Sequence, residues 1–112
     1  MYKIEYSEKY NVSLEYFIDS YRKTWLQMFS DTGIENEVFI RENYISAWKE
    51  LLRNIKSKNL EMLEQDIVFW RTRKDENFSV TYILWNFRVT LYYTEDTENI
   101  TRYIENIIFT KK

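Results

Sequence analysis

Histidine, cysteine and proline are absent from this 112-residue sequence, and glycine occurs once, at Gly33. Without His and Cys there is no serine or cysteine triad, no thiol redox chemistry and none of the usual nitrogen and sulfur ligands for zinc or iron. A single glycine removes the phosphate-cradling loops, whose fingerprints need at least two. Any chemistry would have to run on carboxylates, Arg, Lys, Tyr or Ser, and the sequence calls for no cofactor and no metal. No apolar run approaches the ~20 residues of a membrane span, and the opening residues Met1 to Tyr10 lack the charge order and apolar stretch of a signal peptide. With the missing cysteines, this leads us to expect a cytoplasmic protein with no membrane partner. A net charge of −2 disfavours a large nucleic-acid footprint.

Aromatic residues are abundant instead: 7 Phe, 10 Tyr and 4 Trp. Each can remove ~150–250 Å² from water, while the polar tips of Tyr and Trp still need partners. The expected core is therefore aromatic, with hydroxyls at its rim, inside a single domain. No internal repeat, low-complexity tract or linker interrupts the chain.

The densest stretch runs from Ile67 to Tyr93, where β-branched and aromatic residues are broken only by Lys74 to Asn77. It reads as two or three antiparallel strands. Phe78, Val80, Tyr82 and Leu84 alternate with Ser79, Thr81, Ile83 and Trp85. Likewise Phe87, Val89, Leu91 and Tyr93 alternate with Arg88, Thr90 and Tyr92. Successive side chains point to opposite faces, so one face is apolar and the other mixed. The mixed face, with Ile83, Trp85, Arg88 and Tyr92, is the candidate binding surface, because Trp, Tyr and Arg most often anchor interfaces. Arg71 and Arg73 share a strand face with Ile67 and Phe69 and are candidate neighbours at its edge. The same two arginines could instead solvate that edge and block pairing.

Elsewhere, Tyr2, Ile4 and Tyr6 alternate with polar residues and predict a first strand at about 2–7. From Ser13, a plausible N-cap, Leu14, Phe17, Ile18, Tyr21, Trp25 and Met28 predict a helix to Ser30, stopped at Gly33 with Ile34 folding back. A second helix from Asn36 to Ser57 carries Tyr44, Trp48, Leu51, Leu52 and Ile55 on one side. With so short a connection, the helices should form an antiparallel hairpin. They should cover the apolar sheet face through Phe17, Tyr21, Trp25, Trp48 and Leu52, with ~3–5 kcal/mol lost on replacing Trp48 by Ala. Lys49, Arg53 and Lys56 lie together on a flank, either as a solvated face or as a contact for an acidic partner. Residues 57–66 read as a loop or a short extra turn of helix. In the last segment, Ile100, Tyr103, Ile104, Ile107 and Ile108 fit a helical stripe, while Tyr103 to Phe109 also fits a strand.

The order strand, helix, helix, strands, with Phe87-Arg88-Val89 entering a late strand, resembles the RelE/ParE family of bacterial toxins. Phe29 to Ile34 followed by Glu42 to Ile45 looks like the helix junction of some members. The resemblance implies an α+β fold: an N-terminal strand and a two-helix hairpin on one face of a mostly antiparallel three- to four-stranded sheet. It favours a strand at Tyr103–Phe109, paired with Phe87–Tyr93 through a hairpin connection at Thr94–Asn99. It also implies a type II toxin with a co-encoded antitoxin and a protein or ribosomal target. In the branch that cuts message on the ribosome, the family arginine steadies the reacting phosphate, and Arg88 would be that catalytic residue. Lys111 and Lys112 match the family's basic tail, but its catalytic Tyr or His beyond the last strand has no counterpart. The branch that acts by binding needs no catalytic set. A non-enzymatic inhibitor or immunity-type protein, working by protein–protein contact, fits the same composition.

Overall fold

The first change of period falls at Ser7. In the computed structural model, which describes residues 1–31 and 37–111, a strand β1 at Lys3–Tyr6 ends there and a helix α1 begins, spanning Glu8–Asp31. Ser7 joins the two. Its N–H donates to the Ile104 carbonyl at 3.0 Å, and its Oγ accepts the Tyr10 N–H at 3.0 Å, as a helix N-cap does. Ser13 is therefore not the cap; it lies inside α1 and donates Oγ–H to Asn106 Oδ1 at 2.8 Å. The buried stripe accordingly starts a turn earlier than expected, at Tyr10, and continues through Leu14 and Ile18. The predicted stop at Gly33 and Ile34 lies outside the described residues.

Helix α2 spans Glu37–Leu63, so most of the segment read as loop or extra turn continues the helix. Leu51, Ile55, Asn59 and Leu63 follow at four-residue steps and are all fully buried. A polar residue in the third place hid the stripe's continuation. Asn59 is accepted in the core because both ends of its amide are used. Its Nδ2 donates to the Tyr10 hydroxyl at 2.8 Å, and its Oδ1 accepts from the Tyr82 hydroxyl at 2.6 Å. One amide thus ties α1, α2 and the sheet together.

Four further strands follow: β2 at Thr72–Lys74, β3 at Asn77–Leu84, β4 at Phe87–Asp96 and β5 at Thr101–Lys111. The fold is α+β, and the sheet is mixed and five-stranded, in the order β1-β5-β4-β3-β2. β1 runs parallel to β5, and every other pair is antiparallel. The sheet thus has five strands where the sequence predicts three to four, and the expected N-terminal strand β1 makes its one parallel pair. The extended reading of 67–74 holds only for its last three residues, because Trp70 has a left-handed backbone, φ 65°, and resets the chain before β2.

The C-terminal segment is a strand, with Leu91 opposite Ile107 and Thr94 opposite Tyr103. Tyr92 pairs with Asn106 but Tyr93 pairs with Ile104, so Glu105 is the extra residue of a β-bulge. Before the bulge Arg102 and Ile104 point inward; after it Ile107 and Phe109 do. The bulge turns a two-residue step into a three-residue one, which is the spacing that mimicked a helix.

Both helices cover one sheet face. The core joins Leu14, Ile18, Leu51 and Ile55 to Val80, Val89, Leu91, Tyr93, Ile104 and Ile107. Phe17, Tyr21, Trp48 and Leu52 pack at its border, only partly buried. Trp25 faces Tyr44 across the hairpin, ring centroids 5.5 Å apart, and Arg22 Nε donates to the Tyr44 hydroxyl at 2.8 Å. Beyond the sheet, then, the helices pack on each other.

Candidate functional site

Strand alternation leaves the face away from the helices uncovered. Its register sets Ile83 beside Arg88 and Arg88 beside Thr110, then Thr81 beside Thr90 and Thr90 beside Ile108, then Ser79 beside Tyr92. Cross-strand neighbours on one face lie about 5 Å apart. The middle row is tied by a Thr81–Thr90 hydroxyl contact of 3.0 Å. Ile83, Tyr92 and Ile108 all stand exposed. Arg88 is exposed as well and forms no ion pair or side-chain hydrogen bond among the described residues. Ile83, Arg88 and Tyr92 are therefore brought onto one patch. Ile108 belongs to it too; the helical spacing around the bulge concealed this.

Trp85 is not a strand residue. It is the first residue of the two-residue turn between β3 and β4, has φ 53° and is 52% exposed. A bulky side chain in the left-handed region costs about 1–2 kcal/mol that glycine would not. The chain thus holds a half-exposed indole at the tip of the hairpin that carries Ile83 and Arg88, at a position glycine would fill with less strain.

Arg71 and Arg73 fall on the opposite side. Arg73 pairs with Phe78, whose ring belongs to the core, and the Arg73 and Arg71 guanidinium carbons lie 5.5 Å and 4.1 Å from that ring. Arg71 also forms an ion pair with Glu95. These two arginines close the end of the core rather than extend the Arg88 patch, because the turn at Trp70 shifts the alternation. Lys49, Arg53 and Lys56 are exposed on α2, with the Lys49 Nζ 5.9 Å from the Trp48 ring.

The most elaborate polar centre escaped the sequence reading. Arg102 is 1% exposed, and its Nε donates to Glu95 Oε1 at 2.9 Å. One terminal nitrogen donates to the carbonyls of Leu63, at 2.6 Å, and Gln65, and the other to Asp66, at 3.0 Å. The guanidinium stacks 3.7 Å from the Tyr2 ring centroid. It captures carbonyls left without partners where α2 ends, and its charge lies at the negative end of the helix dipole. The available signal was negative: no basic residue occupies the last turn of α2 and no Gly or Pro follows it closely, so its cap had to come from another element.

Chemically, the open face offers a cation, a phenol, hydroxyls and apolar area. Among the described residues no group of His, Cys, Asp or Glu side chains is placed to hold a metal ion. The Tyr10 hydroxyl, pushed up to about 12 by burial against the opposing Asn59 hydrogen bond, and the Tyr82 hydroxyl, also raised by burial, belong to the core. The arrangement suits recognition rather than proton transfer. In comparisons with family models, curated proteins and solved structures, nothing matches the chain.

Proposed function

We propose that the protein works by binding another protein through the open sheet face, as a RelE/ParE-like toxin that blocks its target by contact and is held in check by an antitoxin. The observation that carries this reading is Arg88, unpaired among the described residues, set among the exposed Ile83, Tyr92 and Ile108 on a face that no described element covers. Aromatic residues and arginine dominate interface energetics because they combine large area with a directional polar group. The order strand, helical hairpin, strands adds support from the side of the resemblance. Message cleavage is the weaker version, since it needs proton transfer or charge stabilisation from several groups, and Arg88 has no general base or acid in its rows.

Controlled expression tests the reading. The protein should arrest growth, Arg88→Ala should relieve the arrest with the fold intact, and the underlying loss of target affinity should be ~2 kcal/mol or more. Purified protein added to translating ribosomes should leave message uncut. If the chain causes no arrest but protects against another protein, the same face serves an inhibitor or immunity-type function. A folded Trp85→Ala, Arg88→Ala variant with full activity would remove this face from consideration, and the exposed flank of Lys49, Arg53 and Lys56 would be tested next.

A further inference from the structure

The two edges of the sheet are finished differently. β2 is short, and its Thr72, Arg73 and Lys74 are exposed and mostly charged, which is how natural sheets discourage further pairing. On the other side β1 stops at Tyr6, opposite Ile104, and Ser7 closes the ladder with its Oγ–H on the Glu105 carbonyl at 2.6 Å. β5 runs on to Lys111. Beyond Glu105 it has β4 on one side and, among the described residues, no strand on the other.

The chain does not leave this half-edge bare by accident of length, because α1 builds a wall beside it. Val12 and Tyr16, one helical turn apart, are 58% and 75% exposed. Together with Phe17, Ile107 and Ile108 they line a groove of about 450 Å³. Apart from Asn106 and the α1 residues Ser13 and Ser20, its lining is aliphatic or aromatic. A strand position with free backbone groups on one side and an apolar trough above it is the geometry of strand addition.

We propose that this half-edge of β5 receives an extended segment of a partner protein, which adds as a sixth strand between the edge and the Val12–Tyr16 wall. The stretch between Glu105 and Lys111 is uncharged. The segment should therefore be uncharged in its middle, with apolar residues at alternate positions, a basic residue against Glu105 and an acidic one against Lys111. A second copy of this chain does not fit. Phe17 stacks on Phe109 with centroids 3.7 Å apart, so α1 lies over this half of β5. Strands pair at about 4.8 Å, whereas helices need 8–10 Å between axes, so two copies joined edge to edge would drive their α1 helices into one another. The inference does not depend on what the open face binds.

The probe is a short capped peptide of alternating valine and threonine, lysine at one end and glutamate at the other, made in both chain directions and titrated into isotope-labelled protein. One direction should shift the backbone resonances of Asn106 to Lys111 and the side chains of Val12 and Tyr16, saturably. N-methylation of the peptide amides that face β5 should abolish the effect, and methylation of the alternate set should not. Val12→Arg and Tyr16→Arg, at exposed positions, should leave thermal unfolding unchanged and weaken binding at least about tenfold. Shifts confined to β2 or to the open face, equal binding by both methylated peptides, or no shifts up to the solubility limit would overturn the proposal. So would a concentration-dependent dimer abolished by Tyr16→Arg, which would give the edge to a second copy.

Discussion

Arg102 shows how much one side chain can hold. Its guanidinium satisfies three carbonyls and the nearly buried Glu95 carboxylate at once. Replacing it with Met keeps much of the volume but strands three carbonyls and leaves the Glu95 carboxylate to Arg71 alone, and breaking a buried pair by removing one partner typically costs ~3–5 kcal/mol. A denaturant titration of Arg102→Met should show a loss of that order. Arg102→Lys should recover little, because an ammonium cannot reproduce the planar fork; recovery of most of the stability would mean that charge alone matters there. The two core tyrosines set a different limit. Burial raises Tyr10 from 10.0 to about 12 and raises Tyr82 as well, so folding favours the protonated phenols. Their contribution is whole below pH 10 and fades as pH climbs through about 12. Phenolate absorbance should show these two tyrosines ionising only as the fold is lost. Their titration at the ordinary value in a still folded protein would mean that the Tyr10–Asn59–Tyr82 chain is open to water.

At the scale of elements, α2 separates residues that anchor the sheet from residues that border it. Leu51 is fully buried, whereas Trp48 is partly exposed and carries the Arg22 guanidinium 4.8 Å from its ring. Leu51→Ala should cost ~2–5 kcal/mol. Trp48→Ala should cost about 2 kcal/mol, less than the ~3–5 of full burial; a Trp48 loss larger than the Leu51 loss would place the indole in the core. Sequence periodicity reached the strands at Phe78–Leu84 and Phe87–Tyr93 and the existence of both helices, because there the apolar pattern and the backbone period coincide. It failed where a tertiary partner overrides the local pattern. Asn59 interrupts a stripe, the bulge at Glu105 imitates a helical step, and Trp70 reverses the alternation that would have put Arg71 and Arg73 beside Arg88. Of the candidate site, Ile83, Arg88 and Tyr92 were legible from alternation alone. Ile108 and the β5 edge were not, since both depend on which strand lies next to which.

The whole molecule is elongated, with extents of 56 × 23 × 23 Å, and it puts its helices on one sheet face and the exposed Ile83, Arg88, Tyr92 and Ile108 on the other. No described helix is long and apolar enough to cross a membrane. The buried core lies on the helix side of the sheet, so substitutions on the open face should leave unfolding unchanged while those at the helix–sheet seam should not. The parallel pairing of β1 with β5 adds a constraint in time. Lys3 finds its neighbour Thr101 only after nearly the whole described chain has been synthesised. The helical hairpin and the β3–β4 hairpin join segments close in sequence and can form while the nascent chain is still growing, but the first strand made must wait for the last. Contacts of such long separation are slow to close. Until β5 arrives, Tyr2 and Ile4 have no sheet to lie on, and that interval is when the emerging polypeptide is most exposed to chaperones, proteases and its own kind.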